Sequence, residues 1–169
     1  RGSWLSIWLD KLGAEVFGIS NPPLVDECNY NVCSVEKKIK HIDCDIRNLK
    51  SIINIFNEIK PTFIFHLAAQ PLVLESYRNP IETYSTNVMG VVNIFEAVRK
   101  TDSVKVLLNI TSDKCYKNKE WDWGYREIDS LGGKDPYSAS KSVSEMVSES
   151  YMSSFFEKNG SPHIATARA

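Results

Sequence analysis

Residues 104–116 read VKVLLNITSDKCY, and the fold turns on how that stretch is taken. Its first part, VKVLLNITS (104–112), is rich in β-branched residues and nearly continuous in apolar ones, the pattern of a strand covered on both faces. The polar TSDKCY follows at once, as a strand end opening into a loop. AEVFGIS (14–20), KIKHIDCD (38–45), PTFIFHLAA (61–69) and HIATARA (163–169) repeat the pattern. Helical periods lie between them. NLKSIINIFNEI puts Leu49, Ile52, Ile53 and Phe56 on one face, and IETYSTNVMGVVNIFEAVRK repeats apolar residues at 81, 84, 88, 91, 92, 95 and 98. Strand, helix and strand in alternation predict right-handed crossovers and an α/β fold with a doubly wound parallel sheet.

Such sheets bind dinucleotides at the carboxyl ends of their strands, so the expected class is Rossmann-type, NAD(P)-binding. RGSWLSIWLDKLGAEVFGIS reads as a helix and then a strand, with Gly2 at the helix entrance. The strand expected before that helix, central in the order 3-2-1-4-5-6, is absent from the sequence, and HIATARA has nothing after it. The expectation is a partial domain over 1–169, truncated at both ends, without its first β-strand and without a C-terminal substrate-binding domain. Two stretches carry no period: SNPPLVDECNYNVCS (20–34), rich in Pro and Asn, and 113–136, which contains WDWGY and LGGKDP. The second is a candidate lid or substrate wall, because long loops in compact domains are usually functional.

The 169 residues are 43% hydrophobic and 11% aromatic, enough for one sizeable core. With 20 basic against 21 acidic residues there is no electrostatic footprint for nucleic acid or an anionic membrane, and no run is long enough to span a bilayer. A small-molecule partner and a cytoplasmic location are expected. Cys28, Cys33, Cys44 and Cys115 lack CxxC spacing and read as reduced thiols. His41, His66 and His163 each adjoin an apolar run and read as packed or strand-end histidines, so no metal site is expected.

The chemistry sits in short motifs. In KDPYSASK (134–141), Asp135 can cap a helix whose first turn takes Pro136, which places Tyr137 and Lys141 one turn apart on the same face. An ammonium beside a phenol favours the phenolate, which can accept a proton from a hydroxyl. At the end of the 104–112 strand, Ser112 can hydrogen-bond the same substrate oxygen, with Asp113 and Lys114 as a neighbouring acid and base. In FHLAAQP, Ala68 and Ala69 let backbone approach a cofactor and Gln70 adds a polar contact, although close packing explains two alanines equally well. Asp45 in HIDCDIRN can accept from an adenine amino group or cap the next helix. Asn87, a weak helix former inside a helix, suits a structural or relay role.

Together HLAAQ, TNVMG, TSDKCY and YSASK resemble the extended short-chain dehydrogenase/reductase superfamily. GSWLSIWLDKLGAEVFGIS, HLAAQPLVLESYRNPIETYSTNVMGVVNIFEAVR, NITSDKCYKNKEWDWGYREIDSLGGKDPYSASK and TARA closely resemble, within it, the CDP-glucose 4,6-dehydratases of bacterial surface-polysaccharide deoxysugar synthesis. That resemblance implies a hydro-lyase that converts CDP-glucose to CDP-4-keto-6-deoxyglucose with transient reduction of bound NAD. It implies Tyr137, Lys141 and Ser112 at the 4-hydroxyl, Lys114 as base at C5 and Asp113 as acid toward the departing 6-hydroxyl. For the cofactor it implies Gly2, Ser20, Asp45, Ile46, Leu67, Ala68, Ala69, Gln70, Asn87 and Thr111, together with Tyr137 and Lys141. Two departures stand out: the glycine-rich fingerprint survives only as Gly2, and the 14–20 strand ends in Ser20 and Asn21 without an acid for a ribose hydroxyl. A homodimer through the helices at 81–99 and 137–157 is also implied. The competing readings are a dTDP-glucose or GDP-mannose 4,6-dehydratase, a 4-epimerase, and a non-catalytic dinucleotide-sensing regulator. Asp113-Lys114 argues against the epimerase, which has no 6-hydroxyl to expel.

Overall fold

A computed structural model describes residues 1–22, 27–157 and 162–169, which divide into two compact units, 1–45 and 46–169. In the first unit, helix α1 (Gly2–Lys11) leads to strand β1 (Phe17–Ser20), short helix α2 (Asn29–Val32), a 3₁₀ turn (Val35–Lys37) and strand β2 (Lys40–Asp43). β1 and β2 pair in parallel from Phe17 opposite Lys40 to Ser20 opposite Asp43. Gly18 admits close packing here, since a Cβ on it would lie 2.7 Å from Cδ1 of Ile39. The stretch 20–34, which showed no period, holds α2 near its end; positions 23–26 lie outside the described residues. A helix this short leaves no periodic trace in sequence.

The second unit carries the rest. Strands β3 (Phe63–His66), β4 (Val106–Thr111) and β5 (His163–Arg168) form a parallel sheet in the order β3-β4-β5. Phe63 lies opposite Val106, and Val106 opposite His163. Each strand is shorter than the apolar run that announced it, because the ends of those runs pass into turns. Helix α3 (Leu49–Ile59) is capped by Asn48, which accepts from the backbone N–H of Ser51 at 3.1 Å. Its face buries Ile52 and Phe56, each contributing about 2 kcal/mol by area removed from water.

The helical run at 81–99 proves to be composite. Helix α4 (Val73–Arg78), not anticipated, precedes α5 (Pro80–Tyr84), a π-helical turn (Ser85–Met89) and α6 (Gly90–Arg99). α6 packs hard on Ile46: a Cβ on Gly90 would collide with that residue's Cδ1. Helix α7 (Pro136–Tyr151) continues into a second π turn (Met152–Phe156). Phe95, Ile52 and Leu107 are fully buried at the centre of this unit. Parallel ladders joined through helices are the doubly wound α/β arrangement expected from the sequence.

Candidate active site

β4 alternates half-buried and buried positions, so Leu107, Asn109 and Thr111 face inward together. It is followed by Ser112, whose hydroxyl caps a 3₁₀ turn (Asp113–Cys115) by accepting from the Lys114 N–H at 3.2 Å. Far along the chain, Asp135 caps α7, accepting from the Ser138 N–H at 2.9 Å and the Ser138 hydroxyl at 2.6 Å. Pro136 occupies the first turn, as anticipated. The first turns of α7 pack directly on the 113–115 turn, and Ser142 donates to the carbonyl of Cys115 at 2.8 Å. The two motifs are thereby brought together at the carboxyl end of β4. Tyr137 is half-buried and its N–H donates to the Ser76 hydroxyl at 3.2 Å, while Lys141 is buried.

Asp113 and Lys114 form an ion pair at 3.3 Å with side chains 66% and 57% exposed, open to solution rather than sealed in the protein. Burial pushes the Asp113 carboxyl up, but hydrogen bonds from Ser112 and Lys114 outweigh it and hold the group below its ordinary range. The Ser112 hydroxyl donates to Asp113 at 2.9 Å, so in this state its proton is directed at the acid and not outward. Rotation about its C–O bond would redirect it.

The residues assigned to a cofactor separate into layers. Leu67, Ala68, Ala69 and Gln70 follow β3 at its carboxyl end and are half-buried. Asn87 lies behind them, 1% exposed and fully engaged: its carbonyl accepts from the Gln70 N–H at 2.7 Å, and its amide donates to the Gln70 carbonyl at 3.0 Å and to Ser140 at 2.9 Å. Asn87 therefore supports the strand end from within, in keeping with a structural role. Thr111 is 3% exposed with its hydroxyl bonded to the Glu145 carboxylate. Ile46 packs on Gly90, and its carbonyl accepts from Asn93 at 2.9 Å. In the other unit Gly2 and Ser20 are exposed, Ser20 donating to the Asn21 carbonyl at 2.9 Å, and Asp45 is half-buried shortly after the end of β2.

Sequence reasoning passed over Glu145 and Arg168, an ion pair at 3.0 Å between a buried carboxylate and a half-buried guanidinium. A signal existed: Glu145 falls four residues after Lys141 and eight after Tyr137, on the same helical stripe, where a carboxylate needs a partner. The 113–136 loop is partly ordered by stacking of Tyr116 on Tyr125 at 5.1 Å and by a bridge between Tyr116 and Leu131.

The chain matches the family model described as GDP-mannose 4,6 dehydratase over residues 1–158. It is 49% identical over 157 residues to the CDP-glucose 4,6-dehydratase of Salmonella typhimurium, covering 92% of this chain and 44% of that protein. Among solved structures, a UDP-glucose 4-epimerase of Thermotoga maritima, with UDP-glucose, superposes with a TM-score of 0.84 at 22% identity, covering 99% of this chain and 51% of that one. The UDP-glucose 4-epimerase of Thermus thermophilus, in complex with NAD, gives 0.80 at 25% identity, covering 99% and 50%. The chain thus spans about half the length of each of these three proteins.

Proposed function

The chain belongs to the GDP-mannose 4,6-dehydratase family, and on that premise we propose that it is the dinucleotide-binding part of a 4,6-dehydratase acting on CDP-glucose, in bacterial surface-polysaccharide synthesis. The observation that carries the reading is the Asp113–Lys114 pair at the carboxyl end of β4 with the Tyr137–Lys141 helix packed on it. An epimerase has no use for such a pair, since it expels no hydroxyl.

The dehydratase roles follow from these side chains. Tyr137, one turn before Lys141 on α7, takes the proton from the sugar 4-hydroxyl, and Ser112 hydrogen-bonds the same oxygen. Once C4 is a ketone, the hydrogen on C5 is acidic. Lys114 as a neutral amine removes that proton, and Asp113 as a carboxylic acid protonates the 6-hydroxyl, which leaves as water. The proton held on Lys114 then returns to C5. The resting ion pair and the working pair differ by one proton moved across the 3.3 Å contact from Lys114 Nζ to Asp113 Oδ2. Exclusion of water by a bound sugar favours the neutral form of such a pair.

NAD is the proposed cofactor, and when bound it supplies a hydride acceptor for C4 and returns the same hydride to C6, so the cycle is redox-neutral. The residues of the second unit fit it. Ala68 and Ala69 leave the end of β3 open to a close approach, and the buried His66 Nε2 has no hydrogen-bond partner among the described residues. Leu67 to Gln70, Tyr137 and Lys141 would hold it, with Ile46, Asn87 and Thr111 in support. A homodimer is part of the same reading. An apolar groove of about 520 Å³ runs between the α5 to π-turn segment and α7, lined by residues that include Ile81, Tyr84, Met89 and Val143. A cytoplasmic location accords with four unpaired cysteines, and no helix among the described residues is long and apolar enough to cross a membrane.

The test is to incubate the full-length enzyme with CDP-, dTDP-, GDP- and UDP-hexoses and follow the alkaline absorbance of 4-keto-6-deoxy products. CDP-glucose alone is expected to react. Lys114→Ala and Tyr137→Phe should each lose a factor of about 10² to 10⁴ in kcat. Wild-type dehydration by Lys114→Ala would overturn the assignment of the base.

A further inference from the structure

Asp113 and Lys114 are mostly exposed, and among the described residues their side chains make hydrogen bonds with Ser112 and with each other. Neither contact fixes where the pair stands relative to Tyr137 and Lys141. The backbone that carries them is tied to α7 at Cys115 by Ser142 and is held from both ends through one further group, a carboxylate. Glu145, 5% exposed, accepts from the hydroxyl of Thr111, the residue before Ser112. Its other oxygen accepts from Thr166 at 3.1 Å and from Arg168 at 3.0 Å. Arg168 then reaches the far side of the turn. Its second amino group donates to the Tyr116 hydroxyl at 3.0 Å and to the Glu127 carbonyl at 2.9 Å, and its guanidinium lies over the Tyr116 ring at 5.0 Å. Tyr116 stacks on Tyr125, which leans on Trp121 at 5.6 Å.

We infer that Glu145 and Arg168 are positioning residues that set the Asp113–Lys114 turn and the wall behind it in register with the helix bearing Tyr137 and Lys141. The inference rests on the dehydratase reading. Stability alone gives no reason for the pair, because a buried ion pair is often matched or bettered by apolar residues of equal volume. What apolar residues cannot do is split a planar fork, one arm on the α7 carboxylate and the other on the loop. Burial alone would pull the Arg168 guanidinium down; hydrogen bonds with Glu145 and Tyr116 outweigh it and keep the charge in place.

Two variants of the full-length enzyme test this. Arg168→Lys keeps a cation for Glu145 and loses the second arm; Tyr116→Phe loses only the hydroxyl that the arm grips and leaves the ion pair intact. In both, KM for CDP-glucose should stay within about 3-fold while kcat falls about 10- to 100-fold, as expected when reacting groups are misplaced by a fraction of an ångström. The loss should fall on elimination: a 4-keto sugar that retains its 6-hydroxyl should accumulate. Backbone amide exchange should rise across 113–131 and stay at the wild-type level across α7. Wild-type kcat with wild-type protection at 113–131 would overturn the inference, as would equal slowing of ketone formation and elimination. If the wild-type enzyme fails to dehydrate CDP-glucose, the functional reading falls, whereas amide exchange in the two variants still decides whether the pair holds the turn.

Discussion

A histidine buried at the end of a strand must stay neutral, and His66 shows what that costs. Burial, with the nearby Lys141 cation, lowers its pKa from 6.5 to about 4. The sign follows from linkage: below 6.5 the unfolded chain binds a proton that the folded chain refuses, so stability is full above that pH and is lost as pH falls toward 4. The loss should be about 2 kcal/mol at about pH 5 relative to about pH 7.5. Urea denaturation of full-length wild type and His66→Gln measures it. The variant, which does not titrate, should lose less between the two pH values, and equal losses would sink the account. The sequence reading of His66 as a packed strand-end histidine anticipated its burial. It could not anticipate that Lys141, from a helix far along the chain, would be the charge beside it.

At the scale of elements, α7 is unusual in burying hydroxyls instead of hydrocarbon. Ser140, Ser144 and Ser148 form one stripe at intervals of four, beside the stripe of Tyr137, Lys141 and Glu145. Their small side chains allow close approach, and each meets a buried polar group. Ser140 accepts from Asn87 at 2.9 Å, Ser144 donates to the Asn87 carbonyl at 2.7 Å, and Ser148 accepts from Asn109 at 2.9 Å. The π turn at Ser85–Met89 explains why Asn87 is available: the widened turn places its amide and its carbonyl against α7. Ser148→Ala leaves the Asn109 amide unpaired in the core and should cost about 1–3 kcal/mol. Adding Asn109→Leu should return part of that loss, so a double-mutant cycle with no coupling would refute the pairing. The serines were visible in the sequence, but their spacing alone reads equally well as a polar, solvated face. Only the buried amides opposite them tell the two apart.

For the whole molecule, the proposed dimer makes a direct prediction. Ile81 is 81% exposed and Met89 52% exposed beside the apolar groove. Ile81→Asp should convert a dimer of the full-length protein into a monomer at micromolar concentration, read by sedimentation. A monomeric wild type would end that proposal. Alternation of strands and helices, the start of α7 at Asp135-Pro136 and the one-turn spacing of Tyr137 and Lys141 were all determined by the sequence alone. Each depends on local periodicity or on a cap within a few residues. Tertiary structure alone decided that Asn87 and Thr111 face inward, that Asp113 keeps its charge against Lys114, and that Glu145 finds Arg168. Those outcomes depend on which distant segments meet and on how far each group is removed from water, and no local pattern encodes either quantity.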